Sequence, residues 1–234
     1  MYSNRPALAL ACEPAMNYAG LDIQIRALAL WMRHTLKLQP GERVTLAMKN
    51  RLEYAQAMLA AWHAGLCAVP INSRLHPNEI DYVLRDSASK LCLTDAELYS
   101  GLRPVAESIE SLQLIDVGDA GFTQALHGPC TDEDFLLSQD GDSPAWLFYT
   151  SGTTGRPKGV VLTHANLVNM ALNFYADVES VRSTDVLLHV APMSHGSGLY
   201  SIPYFLQGAL QVIPRSGGFN EAETCDLLQY YRNV

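Results

Sequence analysis

The chain has 234 residues, with 24 acidic against 16 basic side chains and a formal net charge of -8. That balance excludes a protein that grips a nucleic-acid backbone, which needs clustered lysine and arginine. At 48% hydrophobic and 17% charged, the chain has enough apolar material for one large folded domain or two small ones.

The apolar run Ala7–Cys12 stops at Glu13. It is shorter than the ~7–15 apolar residues of an export leader. The longest apolar stretch elsewhere, Met58 to Ile71, is broken by His63 and falls below the ~18 residues of a membrane span. A soluble, cytoplasmic protein is expected. The five cysteines, at 12, 67, 92, 130 and 225, include no C-x-x-C pair, so reduced thiols are expected and neither a zinc site nor a redox motif.

Leu21, Ile25, Leu28, Met32 and Leu36 recur at helical spacing up to Gln39-Pro40-Gly41. Residues 43–49 read as a strand, Asn50 as the N-cap of a helix over 51–64, and Gly65 as the residue that ends it. Strands follow at 67–71, 90–94 and 113–117. Pro77 opens a helix to about Asp86, and another helix separates the last two strands. Residues 128–144 carry five acidic and no basic residues, with two prolines and two glycines, and read as a solvated connection. In the second half, 145–150 and 159–162 read as two strands of a hairpin. Thr163 caps a helix to about Ala176, strands lie at 185–191 and 210–213, and Asn220 caps a helix over 221–232. Alternating strands and helices predict an α/β fold with largely parallel sheets and flanking helices. The expected organisation is a first α/β half over 1–127, an acidic linker over 128–144 and a second α/β half over 145–234.

The segment Tyr149-Thr150-Ser151-Gly152-Thr153-Thr154-Gly155-Arg156-Pro157-Lys158-Gly159 carries the chemistry. Glycines expose backbone N–H groups that cradle phosphate oxygens, hydroxyls add rotatable donors, and a lysine adds a mobile positive charge. Spacing rejects a Walker A loop: Gly152 and Gly155 are three apart, glycine follows Lys158, and the segment joins two strands.

This segment matches throughout the [YF]TSG[ST]TGxPKG signature of the adenylate-forming superfamily, which the chain therefore resembles. Similarity extends over Leu52–Asn72, Leu75–Asp95, Ala191–Gly198 (APMSHGSG) and Phe219–Val234, in the manner of acyl-CoA synthetases for fatty or aryl acids. The resemblance implies the N-terminal portion of that family's large domain, incomplete at its C-terminal end. It implies an acid–thiol ligase that joins a carboxylic acid to coenzyme A through an acyl-adenylate, using ATP and Mg2+. Thr150, Ser151, Gly152, Thr153, Thr154, Gly155 and Lys158 would hold the β- and γ-phosphates. His195 would line the acyl pocket, with Gly196 and Gly198 leaving room for the acid. The family's adenine, ribose and magnesium contacts and its catalytic lysine fall beyond Val234. No catalytic or metal-binding residue is therefore assigned, and the chain is expected to be a truncated part of a ligase, inactive alone. A naturally short, non-catalytic interaction or regulatory protein that keeps the fold is the alternative. The expected partners are a small carboxylic acid, ATP and coenzyme A, with no nucleic acid. The remaining six histidines are read as ordinary surface or packing residues.

Overall fold

The computed structural model describes residues 2–130, 140–150 and 156–234. In chain order the elements are β1 (Pro6–Leu10), β2 (Glu13–Asn17), α1 (Tyr18–Leu30), β3 (Arg43–Ala47), α2 (Leu52–His63), β4 (Cys67–Pro70), α3 (Pro77–Asp86), β5 (Leu91–Thr94), α4 (Ala96–Glu107), β6 (Gln113–Asp116), α5 (Ala120–Leu126), β7 (Pro144–Thr150), β8 (Lys158–Thr163), α6 (His164–Asp177), β9 (Val186–Leu188), α7 (Gly196–Leu206), β10 (Leu210–Ile213) and α8 (Glu221–Tyr230). A π-helical turn, Trp31–Thr35, extends α1. The fold is α/β, as the alternation of strand and helix patterns requires.

Backbone contacts divide the chain into two units. The first comprises Met1–Ile23, Lys49–Ala55 and Asn166–Val234. Its sheet runs β2-β1-β10-β9, with β1 and β9 parallel to β10 and β2 antiparallel to β1. One apolar cluster joins Ala9, Val186, Leu188 and Val212 to Leu227 of α8, and another joins Phe174, Val181, Tyr204 and Ala209. The second unit comprises Gln24–Met48 and Gln56–Ala165. Its sheet runs β6-β5-β3-β4-β7-β8, parallel except for the antiparallel β7–β8 pair at one edge. Its core places Ala47, Val69, Ile71 and Cys92 of the sheet region against Ile80, Val83 and Leu84 of α3 and Leu102 of α4.

Helix starts follow the expected chemistry. Pro77 stands at the head of α3, where His76 and Glu79 form a reciprocal capping box. Asn220 accepts from the Glu223 amide at the start of α8. The apolar run near the N-terminus, read only as too short for a leader, is β1. Its Ala7, Leu8 and Ala9 are fully buried because the strand lies between β2 and β10. An inner strand covered on both faces needs an unbroken apolar run rather than alternation. Asn50 does not cap α2, which begins two residues later at Leu52, and its side chain is committed elsewhere.

Gly65 takes φ +75° directly after α2, and its carbonyl accepts from the Gly41 amide at 2.7 Å. A side chain is strained in that left-handed region by about 1–2 kcal/mol. Gly65→Ala is therefore expected to lower unfolding stability by about 1 kcal/mol, read as an earlier urea midpoint. An unchanged midpoint would contradict it.

Candidate functional site

Two regions carry the predicted site residues, one in each unit. The first is the stem of the Thr/Gly-rich segment. Strands β7 and β8 pair with Tyr149 opposite Gly159 and Thr150 opposite Lys158. Directly opposed residues of an antiparallel pair have Cβ atoms ~4.5–5.5 Å apart. The first threonine and the lysine of the signature are thereby brought together, both solvent-exposed. Ser151, Gly152, Thr153, Thr154 and Gly155 lie outside the described residues. Because β7 is parallel to β4, Thr150 leaves the sheet at its carboxyl edge, the edge where ligands bind in open parallel sheets.

Helix α3 steadies both flanks of this segment. The Tyr149 hydroxyl donates to Asp86 at 2.6 Å, and burial, reinforced by that carboxylate, pushes the phenol's pKa up. The Arg156 guanidinium lies 6.0 Å from the centre of the Tyr82 ring, within cation–π range. Gly159 leaves little room in the same packing. A Cβ there would stand 3.1 Å from Leu147 and from the Tyr149 ring. Tyr82 and Asp86 were visible in the sequence only as part of a family-like stretch. Their partners lie 63 or more residues away, as the 63-residue separation of Tyr149 and Asp86 shows.

The second region is the turn from β9 into α7. His195 occupies the N-cap position of α7, with its Nδ1 2.9 Å from Ser194 Oγ. His195 and Gly196 are exposed, while Gly198 is buried within the first turn. A Cβ on Gly196 would meet nothing within 4 Å, so open space lies beside His195.

Two buried polar residues hold this turn, and neither was assigned to it from sequence. Asn50 donates through Nδ2 to the carbonyls of His189 at 2.8 Å and Ala191 at 2.7 Å, and its Oδ1 accepts from the Met193 amide at 2.8 Å. A side chain with both amide groups satisfied by backbone works as a clamp. His189 is fully buried, with Nδ1 2.7 Å from Ser197 Oγ and Nε2 2.9 Å from Gln211 Oε1. With Gln211 placed so that Oε1, an acceptor only, faces the ring, Nε2 is assigned the proton and Nδ1 accepts from the Ser197 hydroxyl. Among the described residues, no group of three or more His, Cys, Asp or Glu could hold a metal ion.

Burial holds His189 down at about 4, against an ordinary 6.5, with the Gln211 contact opposing. The unfolded chain then binds more protons than the folded one between those values. The stability from neutral His189 is complete above about pH 6.5 and is lost as pH falls toward 4, amounting to about 3 kcal/mol. Urea unfolding at pH 7 and pH 4.5 is expected to show a steeper loss for the wild type than for His189→Asn. Equal losses would contradict a neutral buried imidazole.

The family model described as AMP-binding enzyme matches residues 1–232. The chain is 33% identical over 206 residues to the long-chain-fatty-acid–CoA ligase FadD13 of Mycobacterium tuberculosis, covering 84% of this chain and 40% of that protein. It is 31% identical over 229 residues to the oxalate–CoA ligase of Arabidopsis thaliana, covering 94% of this chain and 44% of that protein. The crystal structure of ATP-bound MatB from Rhodopseudomonas palustris superposes with a TM-score of 0.85 at 25% identity, over 99% of this chain and 46% of that one. The chain thus spans less than half the length of these relatives. From residue 1 to 232, it belongs to the AMP-binding enzyme family.

Proposed function

We propose that the chain is the N-terminal part of an ATP-dependent carboxylate–CoA ligase. The observation that carries this reading is the pairing of Thr150 with Lys158 at the carboxyl edge of a parallel sheet, in a chain that matches the family model along its length. In the reaction, a carboxylate oxygen attacks the α-phosphorus of ATP and pyrophosphate leaves. The thiol of coenzyme A then attacks the acyl-adenylate carbonyl and AMP leaves. Lys158 and the hydroxyls of Thr150, Ser151, Thr153 and Thr154 hold the β- and γ-phosphates. The loop glycines Gly152 and Gly155 admit them close to the backbone. Charge that builds on the leaving pyrophosphate is met by these donors, which is how such sites lower a barrier. Mg2+ arrives with the nucleotide.

His195 faces the acid, with the open space beside Gly196 receiving its acyl group. A glycine at 196 offers no charge to pair a buried ammonium, and an unpaired one would cost several kcal/mol. The substrate is accordingly an acid without an α-amine, fatty or aromatic. A reducing compartment such as the cytoplasm fits the five free cysteines, of which Cys67 and Cys92 are buried with thiols pushed up to about 11 and about 12.

The test is acid-dependent ATP–pyrophosphate exchange by the longer protein. Lys158→Ala is expected to lower kcat/KM for ATP by about 10- to 100-fold, the loss of one charge-assisted contact of ~1.5–3 kcal/mol. The acid's own binding should change little. The 234-residue chain alone should give no exchange. An unchanged kcat/KM for ATP removes Lys158 from the site, and a preference for amino acids over fatty and aryl acids overturns the substrate class.

A further inference from the structure

The turn that carries His195 is held by polar contacts rather than by its own sequence. Residues 189–197 run from the end of β9 into the first turn of α7, and within them Pro192, Gly196 and the exposed His195 pack little. The backbone of this stretch is fixed at three points by one buried side chain, Asn50. Its far end is fixed by His189, whose ring spans from Gln211 of β10 to Ser197, the second residue of α7. The His189 amide also donates to the Val212 carbonyl at 2.9 Å, so the ring is anchored to the sheet by main chain as well as side chain.

We propose that His189 is a positioning residue for the acid site, setting through its Nδ1–Ser197 contact where α7 begins and hence where the His195 ring stands. This inference rests on the reading of His195 as facing the acid. A fully buried imidazole is an unusual choice for filling space in a sheet, where leucine or phenylalanine brings no polar atoms to satisfy. Its rigid ring places two hydrogen-bonding atoms on opposite sides, which no aliphatic side chain can do. One side grips the sheet and the other grips the helix start. The Asn50 clamp fixes the backbone between them, so the two residues act on the same nine-residue stretch from opposite ends.

The test separates the two ring nitrogens. In His189→Asn the amide oxygen stands where Nδ1 stands and can still accept from Ser197. In His189→Gln the amide reaches the Nε2 position and can still meet Gln211, but Ser197 is left unpaired. A filler role predicts that the two variants behave alike. The positioning role predicts that His189→Asn keeps slow amide exchange over residues 193–200 and an acid KM within about twofold of wild type. His189→Gln and Ser197→Ala should lose that protection and raise the acid KM about tenfold, the equivalent of one buried hydrogen bond. The KM for ATP should stay unchanged in all three variants. Identical behaviour of the Asn and Gln variants, or parallel shifts of both KM values, overturns the proposal. If the wild-type longer protein shows no exchange with any acid, the ligase reading fails. The amide protection of the 234-residue chain and its variants then decides the positioning claim alone.

Discussion

The antiparallel pairing of β7 with β8 fixes where the signature segment leaves and re-enters its sheet. Every other neighbouring pair in that sheet is parallel, so no two of those neighbours can be joined by a short turn. A hairpin at the edge is the one place where two strand ends meet across a short segment. The register sets Thr150 against Lys158. A slip of one residue would turn every side chain of β8 to the other face. Trp146 and Ala145, both fully buried, anchor β7 in the sheet, and the Trp62 indole donates to the Ala145 carbonyl at 2.7 Å. The threonine and the lysine are therefore placed opposite each other by the register of the pair, with β7 anchored in the sheet.

The turn that carries His195 follows the same logic with different means. There the exposed residues sit on a turn, and the rigidity comes from Asn50 and His189 beneath it. Both are buried polar side chains with their main hydrogen-bonding atoms satisfied. Low dielectric makes such contacts stronger, and makes breaking one of them costly. Open space at Gly196 thus lies on a turn whose backbone is hydrogen-bonded from beneath.

Much of this was legible in the sequence, and the exceptions share a physical cause. The strand–helix alternation from Arg43 to Val117, the capping by Asn220 and the glycine stop at Gly65 are local features, set by residues within a few positions of one another. The signature segment was legible for the same reason. β1 was not, because an inner strand has no period-two alternation, and a short apolar run reads equally as a leader or a core segment. α7 was not, because Gly196, Gly198 and Pro203 argue against a helix, while buried Ser197, Ser201, Pro203 and Tyr204 show that tertiary packing decides it. Asn50 was assigned the nearest role available, a helix cap, because its partners are 139 and 141 residues away. His189 was counted among ordinary histidines, since nothing near it in the chain announces Ser197 and Gln211 as the two ends of its ring. Local chemistry can be read from one sequence, whereas contacts closed by the fold cannot.

On the function proposed above, residues 150–158 bind the two terminal phosphates of ATP. Pyrophosphate carries that half of the nucleotide and needs neither an adenine nor a ribose site. The direct measurement is a titration of the isotopically labelled 234-residue chain with magnesium pyrophosphate, followed through its backbone amide signals. Saturable shifts are expected at Thr150, Arg156, Lys158 and Gly159, with affinity weakened about tenfold or more when Lys158 is replaced by alanine. Shifts scattered over the surface, or an affinity indifferent to Lys158, would contradict it.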